Sequence, residues 1–274
     1  MMLFALPLIF ILLLLALAPG ILLMLYYANK HVYRVNSGLL ILMFGLGVFS
    51  CIPAALLEHI LLARGEEPSL AFAFAGPGWV ELAIVAYGVV AIAEESVKYL
   101  ALRLAYSHPR FTRVIDGMVY GAVAALGFAC LENVVYVMGY GPVVAIPRAF
   151  LAVPGHALFG AVMGYGVGLA CRDPRKSVWY HLAGFGGAVA LHGTYDYVIF
   201  LGFWYLTIPL SVLAWFTMIK LLQRSYEFDS SQRDARVFYP RGPMIIGQVE
   251  DDIDIALRNP TRPALPDDID IRLR

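Results

Sequence analysis

MMLFALPLIFILLLLALAPGILLMLYYAN, residues 1–29, contains no charged side chain. A helix rises about 1.5 Å per residue, so a hydrocarbon core about 30 Å thick is crossed by about 20 apolar residues. The run is long enough. It has no basic start, and it exceeds the apolar stretch of about 7–15 residues that a secretory leader carries. It therefore reads as a first spanning helix. The same pattern recurs along the chain, predicting spans near 3–27, 38–62, 80–104, 115–138, 146–170, 178–199 and 203–222. Turn signals lie between them: Pro68, Gly76-Pro77-Gly78, His108-Pro109, residues 139–142 and Asp173-Pro174. The expected fold is all-α, a polytopic bundle of about seven transmembrane helices, because in lipid a helix satisfies every backbone group internally.

Composition agrees. Of 274 residues, 60% are hydrophobic and 15% charged, against about 45–50% and about 25% in soluble domains. A water-soluble fold would have to display that apolar surplus to solvent, whereas a bilayer accepts it. The formal net charge of +0 leaves no basic face for a nucleic acid. Cys51, Cys130 and Cys171 are too few and too scattered for a disulfide framework or a CxxC metal site, and read as small apolar fillers.

Basic residues alternate between connections. Lys30 and Arg34 follow span one, Arg110 and Arg113 follow span three, Arg172, Arg175 and Lys176 follow span five, and Lys220 and Arg224 open the tail. The intervening connections are poor in them. Positive charge marks the cytoplasmic side, which predicts an outside N-terminus, a cytoplasmic C-terminus and an odd number of spans. The expected organisation is a membrane domain over 1–222 and a polar, flexible cytoplasmic tail over 223–274. That tail holds a near-repeat, DDIDIALR at 251–258 and DDIDIRLR at 267–274, whose alternation also suits a strand-adding peptide.

Spans three to six are not uniformly apolar, and each charge at mid-membrane costs at least about 2.5–3.5 kcal/mol. Glu94, Glu95 and Lys98 share span three in AIAEESVKYL. The lysine is three and four residues from the carboxylates and can pair with either, which predicts one glutamate tied to it and the other facing a cavity. Span four carries Phe128 and Glu132 on one face, in GFACLEN; Glu132 has no basic neighbour on its own helix, so its partner must come from another. Span five brings Arg148 and, two turns deeper, His156. Span six has His192 and Asp196 one turn apart in LHGTYDY, so the carboxylate can orient the imidazole. Carboxylates and imidazoles converging in a dry cavity suit the activation of water, with glutamate as general base and histidines as metal ligands or oxyanion stabilisers. There is no HExxH, no P-loop and no serine or cysteine nucleophile paired with a base. Hydrolysis without a covalent intermediate is the expected chemistry.

In this order, Glu94-Glu95-x-x-Lys98, Phe128-x-x-x-Glu132-Asn133, His156 and His192-Gly193-x-Tyr195-Asp196 resemble the PrsW family of intramembrane proteases, within the larger group of CAAX prenyl proteases and bacteriocin-processing enzymes. The resemblance covers roughly residues 80–200. It implies an enzyme of the cell membrane that cleaves a single-pass, membrane-anchored protein substrate of the anti-sigma-factor kind. It also implies Glu94, Glu95, His156 and His192 as catalytic residues, with Lys98, Phe128, Glu132, Asn133, Tyr195 and Asp196 in support. The chemistry is either metal-free or served by a divalent metal such as zinc, held among Glu94, Glu132, His156 and His192. Glu132 stands where prenyl-protease relatives carry histidine, which argues against a CAAX substrate. The competing reading of the same charges is a proton-coupled carrier, although no repeat of the spans accompanies it.

Overall fold

Each of the seven apolar stretches forms a helix in a computed structural model of the chain, which describes residues 2–30, 36–62 and 78–234. The helices are α1 (Met2–Lys30), α2 (Ser37–Leu62), α3 (79–106), α4 (Val114–Tyr140), α5 (Pro142–Arg172), α6 (Ser177–Phe200) and α7 (Thr207–Asp234). Two are not regular throughout. A wide π-helical stretch, Ile84–Ala91, interrupts α3 just before Glu94, and another, Arg148–Ala152, interrupts α5 just before His156. The connections at 31–35 and 63–77, and the tail from 235 with its DDIDI near-repeat, lie outside the described residues.

Five of the seven helices are long and apolar enough to cross a membrane: α1, α2, α4, α5 and α7. The two that fall short, α3 and α6, carry Glu94, Glu95 and Lys98 in one case and His181, His192 and Asp196 in the other. Their polarity is tolerable because it faces inward. Large apolar side chains such as Phe10, Ile41, Phe49, Leu100 and Phe150 cover the outside, as a lipid-facing surface requires.

At the centre stands α4, whose first seventeen residues are all buried. Glycines let its neighbours approach it at backbone distance. A methyl group at Gly121 would overlap the carbonyl of Gly160, and one at Gly164 the carbonyl of Gly117, so α4 and α5 pack main chain against main chain. Gly47 of α2 sits likewise on the carbonyl of Ala124. With lipid tails as apolar as leucine, close van der Waals contact of small residues is what drives helices together. Gly121→Val is therefore expected to lower the melting temperature in detergent, by a loss of about 1–3 kcal/mol or more. Gly139→Ala and Gly186→Ala, with nothing within 4 Å of the added atom, should leave it unchanged or raise it.

The last helix runs twelve residues beyond the expected boundary at 222. Its polar extension folds onto the bundle. Ser225 and Asp229 are buried, and the Asp229 carboxylate accepts the N–H groups of Val114 (3.0 Å) and Ile115 (3.1 Å). These are N-terminal amides of α4, which have no acceptor within their own helix. A side chain 115 residues away thus caps the central helix, and no local pattern announces it.

Candidate active site

The site starts from the first turns of α3 beyond its π-helical stretch. There Lys98 Nζ lies 2.9 Å from Glu94 Oε2 and 2.9 Å from Glu95 Oε1. The expected division, with one glutamate paired and one free, is replaced by a bridge. A lysine at i+4 from one carboxylate and i+3 from the other sits between them, and satisfying both is the cheaper arrangement where all three are buried. Glu94 is 5% exposed, Glu95 0% and Lys98 2%. The Phe128 ring of α4 lies 3.9 Å beneath the ammonium, a cation–π contact strengthened by the absence of water.

One turn on from Phe128, Glu132 Oε2 lies 2.8 Å from Arg148 Nη2 and 2.8 Å from His156 Nε2. The partners that its own helix lacks thus come from α5. The other nitrogen of His156, Nδ1, lies 3.2 Å from Lys98 Nζ. From α6, His192 Nδ1 lies 2.8 Å from Glu95 Oε1, while its Nε2 faces Asp196 Oδ2 at 3.2 Å and Glu94 Oε2 at 3.8 Å. The two imidazoles stand edge to face, 5.3 Å apart, and Phe159 stacks on His192 at 5.1 Å.

These contacts select tautomers. Lysine only donates, so His156 Nδ1 accepts; its Nε2 lies 2.8 Å from Glu132 Oε2 as a charge contact, without the alignment of a hydrogen bond. Ionised Glu95 only accepts, so His192 Nδ1 carries a proton. What remains at His192 Nε2 is a nitrogen opposite two carboxylates, a place for a proton or another cation. The wider charge balance points the same way. Glu94, Glu95, Glu132 and Asp196 face the fixed cations Lys98 and Arg148, four against two.

Glu94, His156 and His192 each present one ligand atom, all within 4.8 Å of one another. Zinc binds nitrogen and carboxylate oxygen at about 2.0–2.2 Å, which sets tetrahedral ligands about 3.4 Å apart. The three fit such an ion with a contraction of up to about 1.4 Å, from 4.8 Å to about 3.4 Å, together with displacement of the Lys98 ammonium from Glu94 and His156 Nδ1. Glu95, hydrogen-bonded to His192 Nδ1, is the kind of outer carboxylate that metal-ligating histidines require, and Glu132 stands 2.8 Å from His156 Nε2. Glu132 meets the opposite nitrogen of His156 and does not join this group.

Two residues expected in support stand further out. Asn133 turns from the cluster: its Nδ2 donates to the Ala16 carbonyl of α1 (3.2 Å), and its Oδ1 accepts from Arg148 Nε (2.6 Å). Tyr195 packs edge-on against Phe159, 6.4 Å away. A further carboxylate, outside every motif quoted above, approaches from α2. Glu58 follows Cys51 and Ala54 on the face of α2 that packs against Val97 and Phe128, and it lies within electrostatic reach of Glu94, Glu132, Asp196 and His192. The 51/54/58 spacing around an isolated acid in an apolar span is the signal that could have found it.

Residues 35–222 match the family model described as PrsW family intramembrane metalloprotease. The chain is 32% identical over 221 residues to Protease PrsW of Bacillus subtilis (strain 168), covering 78% of this chain and 95% of that protein. It is 31% identical over 220 residues to Protease PrsW of Halalkalibacterium halodurans, covering 78% and 96%. Against Protease PrsW of Geobacillus kaustophilus the identity is 35% over 184 residues, covering 66% and 76%. No solved structure is significantly similar to the chain.

Proposed function

The chain belongs to the PrsW family of intramembrane metalloproteases, and from that premise we propose that Glu94, His156 and His192 form the reacting centre, at which water hydrolyses a peptide bond of a single-pass, membrane-anchored protein of the anti-sigma-factor kind. That the protein is a multi-pass membrane protease follows from the family and the apolar helices. Family membership also sets aside the carrier reading of the same charges. The observation that carries the site assignment is the convergence of those three side chains, from three separate helices, within 4.8 Å in the buried interior.

Glu94 is the carboxylate placed to take the proton of the attacking water. Glu95, by accepting from His192 Nδ1, turns Nε2 toward Glu94. Lys98 offsets the charge of both glutamates and stands next to the place where negative charge develops on the carbonyl oxygen. As the C–N bond breaks, the proton held on Glu94 returns to the leaving amine. Phe128, Phe159 and the surrounding helices keep bulk water out, so each of these interactions acts at low dielectric. A divalent ion would be held by His156, His192 and one oxygen of Glu94, leaving the other oxygen to act as base, and it would supply Lewis acidity toward water and the carbonyl. The polar rim at Asp196 and Glu132, whose side chains are 17% and 16% exposed, is the side from which water enters.

Purified protein in liposomes is expected to cut a single-pass substrate once, within or beside its membrane segment. Phenanthroline should reduce the rate at least tenfold, and added zinc should restore it. Undiminished cleavage after chelation would remove the ion from this scheme, and intact substrate under every condition would remove the scheme itself.

A further inference from the structure

Tyr87 lies outside the motifs that carry the family resemblance, yet it reaches from α3 to the helix that bears His192. It sits in the π-helical stretch Ile84–Ala91, about two turns before Glu94. Its hydroxyl lies 2.9 Å from Thr194 Oγ1, and its ring stands 6.0 Å from that of Tyr197. Thr194 gives its own proton to the Ala190 carbonyl at 2.7 Å, so in the pair Tyr87 donates and Thr194 accepts. Between His192 and Thr194, Gly193 is buried against the Tyr87 ring. A methyl group there would overlap Cδ1 of the ring and stand only 2.7 Å from Cγ and 2.8 Å from Cε1. Cγ is bonded to Cβ, close to the main chain of α3, so the ring could yield only by leaving its seat. The glycine of the His192-Gly193-x-Tyr195-Asp196 motif thus has a partner that the motif does not contain.

The helices α3 and α6 therefore meet at two levels. Glu95 Oε1 lies 2.8 Å from His192 Nδ1, and earlier in α3 the Tyr87 ring covers the next residue of α6. A helix held by one contact can pivot about it. Contacts on residues 192 and 193, which point about 100° apart, fix its rotation. We infer that Tyr87 is a positioning residue: seated on Gly193 and tied to Thr194, it holds α6 at the rotation that presents His192 to Glu94 and Glu95. The inference rests on the reading that His192 belongs to the reacting centre. Without the ring, nothing on α3 opposes a turn of α6 at this level, and a displacement of about 1 Å at a reacting group is enough to cost about 100-fold in rate.

A cycle between residues 87 and 193 decides it, in full-length protein reconstituted in liposomes with a single-pass substrate. Tyr87→Ala should lower kcat by about 10–100-fold, with KM changed less than about threefold. Tyr87→Phe keeps the ring and gives up only the hydrogen bond, so it should retain at least about a third of the wild-type kcat. Gly193→Ala, which unseats the ring, should lose about as much as Tyr87→Ala. In a Tyr87→Ala background the same glycine replacement should cost less than about threefold more, because the atoms it would strike are gone. Melting temperatures, read without substrate, should show the same coupling with a change of sign: Gly193→Ala lowers that of the wild type, and leaves that of the Tyr87→Ala protein unchanged or raised. Should Gly193→Ala fail to fold alone, its folding in the Tyr87→Ala background is the same result; should Tyr87→Ala fail to fold, Tyr87→Leu takes its place. Equal losses from Gly193→Ala with and without the ring overturn the inference, as does a folded Tyr87→Ala protein whose kcat stays within about threefold of the wild type. The proteolytic reading falls separately, if His192→Gln cleaves at the wild-type rate, and the melting temperatures still decide whether Tyr87 and Gly193 hold the two helices in register.

Discussion

Glu94→Gln is expected to lower the rate of substrate cleavage by about 10³-fold, within the range that loss of a general base produces, while the bundle stays folded. The amide fills the volume of the carboxylate, and Lys98 keeps Glu95 as a partner at 2.9 Å, so no buried cation is orphaned. What disappears, in the proposed scheme, is the carboxylate of the triangle with His156 and His192 that serves as acceptor of the water proton and as a ligand for an ion. Glu95→Gln should behave differently. Glu95 is fully buried and lies 2.8 Å from His192 Nδ1, so on the proposed scheme its loss should cost about 10–100-fold, as for an outer partner of a working histidine. The measurement is the cleavage rate of both variants in liposomes beside their melting temperatures. A folded Glu94→Gln protein that retains a tenth of the wild-type rate, or one that outperforms Glu95→Gln, would show that the roles have been assigned to the wrong carboxylates.

Lys98→Met is expected to produce the largest loss of stability of any single substitution at the site. The ammonium is 2% exposed, bridges two carboxylates and rests on Phe128. Methionine preserves the packing and removes the charge, leaving Glu94 and Glu95 buried side by side with no cation between them. Breaking a buried ion pair by deleting one partner costs about 3–5 kcal/mol, which corresponds to a fall of about 10 °C or more for a chain of this size. The triple variant Glu94→Gln/Glu95→Gln/Lys98→Met should regain most of that stability, because no uncompensated charge remains, and should be inactive. Thermal denaturation in detergent compares the three proteins. If Lys98→Met melts within about 2 °C of the wild type, the three-residue bridge contributes little to folding.

Within a single helix, the sequence already contained most of what the structure displays. Charge-free runs of about 20 residues locate the helices because lipid tolerates nothing else, and all seven expected spans are helical. Spacing of three and four residues was enough to bring Glu94, Glu95 and Lys98 together, and Asp196 to His192, since a helix of about 3.6 residues per turn admits few alternatives. The sequence could also require that Glu132 find a cation on another helix. It could not say that Arg148 and His156 would share one oxygen of it, nor that Asn133 would reach back to α1.

By itself, then, the sequence determined the solvent this protein folds in, the helices it folds into and the side chains those helices force into one another's company. Which nitrogen of each histidine meets which carboxylate, the approach of Glu58 from α2 and the capping of α4 by Asp229 were decided only by the tertiary structure. Such contacts depend on how far each helix is rotated and how closely it is packed. Those two quantities are set here by glycine-on-carbonyl contacts between α2, α4 and α5 and by π-helical turns in α3 and α5. Both come into being only when the whole bundle is assembled.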